Sequence, residues 1–238
     1  MRFHRSLVFV VTLAALVSSC AGSSPSAPSA VPSEETPPPS TSDPTEEPSA
    51  SGEGATTATA AGAFQIDPAA SEARFLIDEI LNGSPNTVIG ATQEISGELQ
   101  VNPDDPSVSV VGPISIDAGS LVTDNGFRNG AIRRFILQSG NFPVIAFAST
   151  SVEGLPAPVS AGETYTFTLT GDLTIRDITH PVTFQVTITV ESNDRLSGSA
   201  SATIQRSDFE LTIPSVPQVA EVSSDVILEI DFTAVRVR

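Results

Sequence analysis

Tryptophan and lysine are missing from this 238-residue chain, and cysteine, methionine and tyrosine occur once each. A single cysteine excludes an intrachain disulfide. The two histidines, His4 and His180, exclude a histidine-rich metal site and leave any histidine-dependent chemistry to one side chain. Eleven arginines face 28 acidic residues, for a formal charge of -17. That balance leaves no basic surface to condense on phosphates, so no nucleic-acid partner is expected. Also absent are a G-x-S-x-G elbow, C-x-x-C, H-x-x-x-H, a P-loop and G-x-G-x-x-G. The expectation is no catalytic residue, no cofactor and no metal. At 39% hydrophobic residues the chain is too poor to be all packed core, so part of it is tail.

The first part of that tail reads as an export signal over residues 1–19. Arg2, His4 and Arg5 precede an apolar run from Leu7 to Val17, too short to span a hydrocarbon core and of the length of a signal-peptide h-region. Val17-Ser18-Ser19-Cys20 resembles the lipobox of bacterial lipoproteins, in which the cysteine thiol takes up diacylglycerol. Two acyl chains on Cys20 suffice for stable anchoring at about 0.8 kcal/mol per buried methylene. The resemblance implies an exported lipoprotein tethered to a membrane of the cell envelope; the blander alternative is an ordinary secretory signal with Cys20 incidental. Residues 20–63 are then a spacer rich in Ser, Pro, Thr, Ala and Glu, without aromatics, leucine or isoleucine. Nothing in it offsets the entropy of ordering. A glycosylated stalk would have the same composition.

From Phe64 to Arg238 apolar residues fall at every second position. Tyr165, Phe167, Leu169, Gly171 and Leu173 alternate with threonines and Asp172; Val182, Phe184, Val186, Ile188 and Val190 alternate with Thr183, Gln185, Thr187 and Thr189. The same period marks runs near 73–80, 94–101, 108–117, 144–152, 196–205 and 226–233. Turn-forming stretches separate them, as at Asn102-Pro103-Asp104-Asp105-Pro106 and Ser192-Asn193-Asp194. The fold class is all-β: eight antiparallel strands, a number that closes a barrel, with one short helix after a candidate N-cap at Asp124. A two-sheet sandwich shares the alternation, and periodicity does not choose between a filled and a hollow interior. Gly198, Ala200 and Ala202 on one apolar face leave space that either a ligand or a facing phenylalanine could take.

Five segments, in order, resemble the YceI-like family. They are Phe64-Gln65-Ile66-Asp67 with Ser71 and Phe75; Ser120-Leu121-Val122-Thr123; Phe142-Pro143-Val144-Ile145-Ala146-Phe147-Ala148-Ser149; Gly171-Asp172-Leu173-Thr174-Ile175-Arg176-Asp177-Ile178-Thr179-His180-Pro181; and Arg206-Ser207-Asp208-Phe209. Asp177 and Glu210 stand where that family has glycine, and Asn129 where aspartate is common. The resemblance implies a lipocalin-like barrel that binds a polyisoprenoid or another long-chain lipid. Strand parity nominates Phe75, Ile77, Phe147, Phe167, Phe184, Val186, Leu228 and Phe232 as lining, joined by Phe127 and Phe135 from the helix. Arg128, Arg133 and Arg134 could meet an anionic head group or pair with nearby carboxylates. His180 reads as a turn residue beside Pro181, and Asp67, Asp117, Asp208 and Asp231 as solvated acids. A scaffold with a filled barrel and, less favoured, a lipid-modifying enzyme are the alternatives, and oligomeric state is open.

Overall fold

The computed structural model describes residues 61–237. The readings of the signal peptide, of Cys20 and of nearly all the spacer lie outside those residues. The spacer's last two residues belong to the fold, because the first strand starts at Gly62.

The chain forms β1 (Gly62–Ile66), β2 (Glu72–Leu81), β3 (Ser84–Thr92), β4 (Ile95–Ser96), β5 (Glu98–Val101), β6 (Val110–Val111) and β7 (Ile114–Asp117). After α1 (Gly126–Ala131) come β8 (Val144–Glu153), β9 (Thr164–Ile175), β10 (Ile178–Ser192), β11 (Arg195–Gln205), β12 (Val219–Val222) and β13 (Asp225–Arg236). They make one antiparallel sheet in the order β4-β7-β8-β9-β10-β11-β13-β1-β5-β6, with β2 also on β13 and carrying β3 and β12. β4, at one end of that path, and β5, next to the other end, are separated in sequence by Gly97 alone, so the curled sheet returns on itself. Eight staves result: β1 and β2 share one edge of β13, while β3 to β5 and β6 to β7 are broken runs.

The alternation read from the sequence is the in–out parity of these staves. On β9 and β10 the apolar set is buried, and outside it Thr164–Thr189, Thr166–Thr187, Thr170–Thr183 and Thr174–Thr179 face each other as hydroxyl pairs 2.8–3.2 Å apart. Such cross-strand pairs fix register. Between β1 and β2 the stave breaks at a 3-10 turn, Pro68–Ala70, where the Asp67 carboxylate accepts from the Ala69 amide at 3.1 Å. Ser71 then closes the gap: its hydroxyl donates to the Thr233 carbonyl at 3.4 Å and accepts from the Thr233 amide at 3.0 Å, in a buried position. Ser71→Ala strands the Thr233 amide, while the carbonyl still accepts from the Asp67 amide at 2.8 Å, and is expected to cost about 1–3 kcal/mol, read from urea denaturation.

Two of the family departures have geometric answers. In the β9–β10 hairpin the left-handed residue is Arg176 (φ 60°), so Asp177 carries no penalty for replacing glycine. Glu210 does carry one, with φ 50°. Glu210→Gly is therefore expected to raise stability by about 0.5–1 kcal/mol, since the left-handed penalty of roughly 1–2 kcal/mol exceeds the extra entropy of an unfolded glycine. A melting curve checks it.

The helix departs from expectation in two respects. Its cap is Asn125, not Asp124: the Asn125 side chain accepts from the amides of Phe127 and Arg128 at 2.9 and 3.2 Å. Past Ala131 the helix widens into a π-turn, Ile132–Ile136, closed by the Leu137 amide on the Ile132 carbonyl at 2.8 Å. The inserted residue breaks the i, i+4 row. Ile132, Ile136 and Leu137 turn inward, and Phe135, predicted to line the interior, is 61% exposed and borders no cavity.

Candidate functional site

The barrel interior holds two chambers. A chamber of about 730 Å³ lies beneath α1 and the segment between β11 and β12. A second of about 110 Å³ lies toward the opposite end. The partition between them is built from Ile114, Phe147, Phe184 and Ile230, which border both. Phe147 and Phe184 meet edge to face, ring centroids 5.1 Å apart and planes at 77°.

Of the ten nominated residues, Phe75, Ile77, Phe127, Phe147, Phe184 and Leu228 border the large chamber. Phe167, Val186 and Phe232 border the small one with Phe147 and Phe184. Phe135 belongs to neither. The nominated set left out Ile116, Ile132, Ile136, Ile204 and Val226, which also line the large chamber, although parity puts Ile204 and Val226 on the apolar faces of their strands. The helical pair was hidden by the π-turn, and Ile116 by the brevity of β7.

Three rings lie over glycines of a neighbouring strand. A Cβ on Gly90 would stand 2.1 Å from the Phe75 ring, one on Gly171 2.5 Å from Phe147, and one on Gly198 3.1 Å from Phe232. The small residues of β11 are thus covered by a facing phenylalanine at Gly198, while Ile204 at the strand's other end opens onto the large chamber. Strand glycine is the residue that permits such close approach.

Polar groups sit at the rim. The Glu79 carboxylate, 7% exposed, accepts from the Arg128 guanidinium and the Asn86 amide, both at 3.0 Å. Arg128 reaches down from α1 and also pairs with Asp124, so one ion pair fastens the helix to β2. Arg206 is held by the carbonyls of Ser223 (3.0 Å) and Leu211 (3.4 Å), and its motif thereby ties down the 206–211 turn. Asn129 accepts from the amide and hydroxyl of Thr123, both at 2.8 Å, and keeps the acceptor role an aspartate would have there. On β2, Arg74 is pushed still further above its ordinary pKa, first by the hydrogen bond it donates to Glu72 and then by Asp231, and is cationic at every accessible pH. Glu191 is held below the ordinary carboxylate range, first by a hydrogen bond with Ser197, with Arg195 alongside. It lies outside the lumen.

The remaining titratable candidates do not converge. His180 is on β10 opposite Leu173, its ring 5.3 Å from that of Phe209. Asp67 and Asp117 cap turns, Asp231 pairs with Arg74, and Asp208 is exposed. Among the described residues no cluster of three or more His, Cys, Asp or Glu side chains could hold a metal.

Comparison with known proteins fixes the family. A profile of the YceI-like domain matches residues 64–234. The chain belongs to the YceI-like family. A UPF0312 protein of Yersinia enterocolitica is 27% identical over 177 residues, 72% of this chain and 86% of that protein. Another from an Enterobacter species is 28% identical over 148 residues, 60% of this chain and 71% of the relative. Among solved structures, BcnA of Burkholderia cenocepacia superposes with a TM-score of 0.59 at 19% identity, covering 71% of this chain and 98% of that one. A polyisoprenoid-binding domain from Saccharophagus degradans, implicated in plant cell wall breakdown, gives 0.57 at 15% identity, covering 73% and 98%. At these identities the two structures support the YceI-like fold.

Proposed function

We propose that this protein is an exported, membrane-anchored lipid binder that holds one long-chain hydrophobic ligand, a polyisoprenoid or similar amphiphile, inside its barrel, and that it catalyses nothing. The observation that carries the reading is the 730 Å³ chamber, walled by isoleucine, leucine, valine and phenylalanine with its polar groups near the rim. At about 25 cal/mol per Å² of apolar area, a chain of several isoprene units has ample drive to leave water without precise polar contacts. The polyisoprenoid-binding neighbour supports the ligand class. An open chamber counts against a scaffold with a filled barrel. The lipobox-like Val17-Ser18-Ser19-Cys20 supports the anchor.

Native mass spectrometry of the full chain, purified from the envelope in mild detergent, is expected to show one lipid-sized adduct per protein. Delipidated protein that takes up neither a prenyl nor an acyl probe overturns the proposal. Cys20→Ser is expected to move the chain from the membrane pellet to the soluble fraction, followed by immunoblot; unchanged pelleting removes the anchor from the reading.

A further inference from the structure

Part of the rim of the large chamber is apolar and exposed, beside the polar groups already described. Phe127 borders the chamber and is 94% exposed; Val216, also on the border, is 44% exposed, and Phe135 farther along the helix is 61% exposed. Beside Phe135 stand Arg133 and Arg134, both exposed, and neither makes an ion pair or side-chain hydrogen bond among the described residues. Their situation is unusual for this chain. Arg74, Arg128, Arg195 and Arg236 are each paired with a carboxylate, and Arg176 and Arg206 donate to backbone carbonyls. On a protein of formal charge -17, two adjacent cations without partners among the described residues flank exposed Phe135, in the helical segment whose first turn places exposed Phe127 at the chamber's border.

We infer that α1 and its π-turn dock the chamber mouth onto an anionic phospholipid bilayer, Phe127 and Phe135 entering the acyl boundary while Arg133 and Arg134 meet lipid phosphates. Aromatic side chains flanked by arginine suit that boundary, where one end of the contact is greasy and the other carries negative charge. The protein's overall acidity does not oppose contact at physiological salt, because charges more than about 8 Å from the surface are screened. A second copy docked mouth to mouth would seal both chambers from any source of hydrocarbon, whereas a bilayer continues the apolar path from acyl chains past Phe127 into the lumen. The inference deepens the lipid-binding reading by naming the surface with which cargo is exchanged, and it rests on that reading for its purpose, not for its geometry.

The absence of tryptophan makes a clean test. In the full chain, Phe127→Trp supplies the sole indole at an exposed position. Val108→Trp supplies a control at a 57% exposed site beside the small chamber, at the other end of the barrel. Each variant is mixed with phosphatidylglycerol–phosphatidylcholine vesicles carrying brominated acyl chains. Tryptophan at 127 is expected to shift to the blue and lose about half or more of its emission, while tryptophan at 108 keeps its spectrum even when the chain is tethered. Adding Arg133→Glu and Arg134→Glu is expected to raise the vesicle concentration needed about tenfold or more. Equal quenching at both sites, no quenching at 127, or a blue shift at 127 that follows protein concentration without vesicles, the sign of a second copy, overturns the inference. Lipid uptake is scored separately by mass spectrometry, so a dry lumen with quenched 127, or a loaded lumen with unquenched 127, tells the two failures apart.

Discussion

Phe184→Ala is expected to join the two chambers and to lower the free energy of unfolding by about 3–4 kcal/mol. Phenylalanine-to-alanine changes in cores cost roughly 3–5 kcal/mol, from lost transfer energy and from the cavity left behind. The lower part of that range applies because the ring already abuts open volume on both faces. Loss of the edge-to-face contact with Phe147 adds about 0.5–1.5 kcal/mol to what area alone predicts. The functional consequence is a change in cargo. With the partition removed the lumen deepens toward Phe167 and Val186, so the adduct distribution in native mass spectra should move to longer chains. Phe184→Leu keeps most of the wall and should move it little. A distribution unaltered in Phe184→Ala would mean that the partition does not limit chain length.

Arg128→Ala is the second change with a large expected effect. It leaves the Glu79 carboxylate, 7% exposed, with the Asn86 amide as its remaining hydrogen-bond donor and no cation. Breaking a buried pair from one side costs about 3–5 kcal/mol, and since Arg128 is 20% exposed the expected loss is near 3 kcal/mol. The same change unfastens α1 from β2, so bound lipid should exchange faster with vesicles. A double variant, Glu79→Leu with Arg128→Met, removes both charges and is expected to recover most of the stability, because two charges lost together leave no orphan. Stopped-flow transfer of a fluorescent prenyl probe and a double-mutant cycle in urea measure the two effects. If Arg128→Ala unfolds no more easily than the parent, the ion pair is not what holds the helix.

The long staves were readable because their chemistry alternates without interruption. On β9 and β10 threonine occupies most outward positions, and the apolar set opposite it is mostly buried. β3 was not readable. Its inward positions are Val88, Gly90 and Thr92, while Ile89, facing out, is 49% exposed, so the hydrophobic period is inverted just where Gly90 makes room for the Phe75 ring. The run near 94–101 was read as one strand but divides at Gly97, where a Cβ would stand 2.3 Å from the Ile114 side chain. Parity placed residues on the inner face correctly but could not say which end of the barrel each would serve. That depends on register across β9, β10 and β13, and it separates Phe167 and Phe232 from Phe75 and Leu228. Phe135 was misplaced because a π-turn has no signature in a heptad-like count. The Glu79–Arg128 pair joins residues 49 positions apart, and nothing local announces it.

The ring seated on Gly90 gives the bore a means of adjustment that meets no backbone atom of a neighbouring strand first. The three nearest atoms to a methyl at Gly90 all belong to the Phe75 ring, so it would lever that aromatic plane toward the axis and narrow the tube at one depth. At Gly171 and Gly198 a methyl would instead meet the Ala148 and Thr187 carbonyl oxygens at 2.4 and 2.3 Å and force the strands apart. Relatives with the same barrel could therefore gauge cargoes of different girth by exchanging glycine for alanine at the position of Gly90, without altering any side chain that the cargo itself touches.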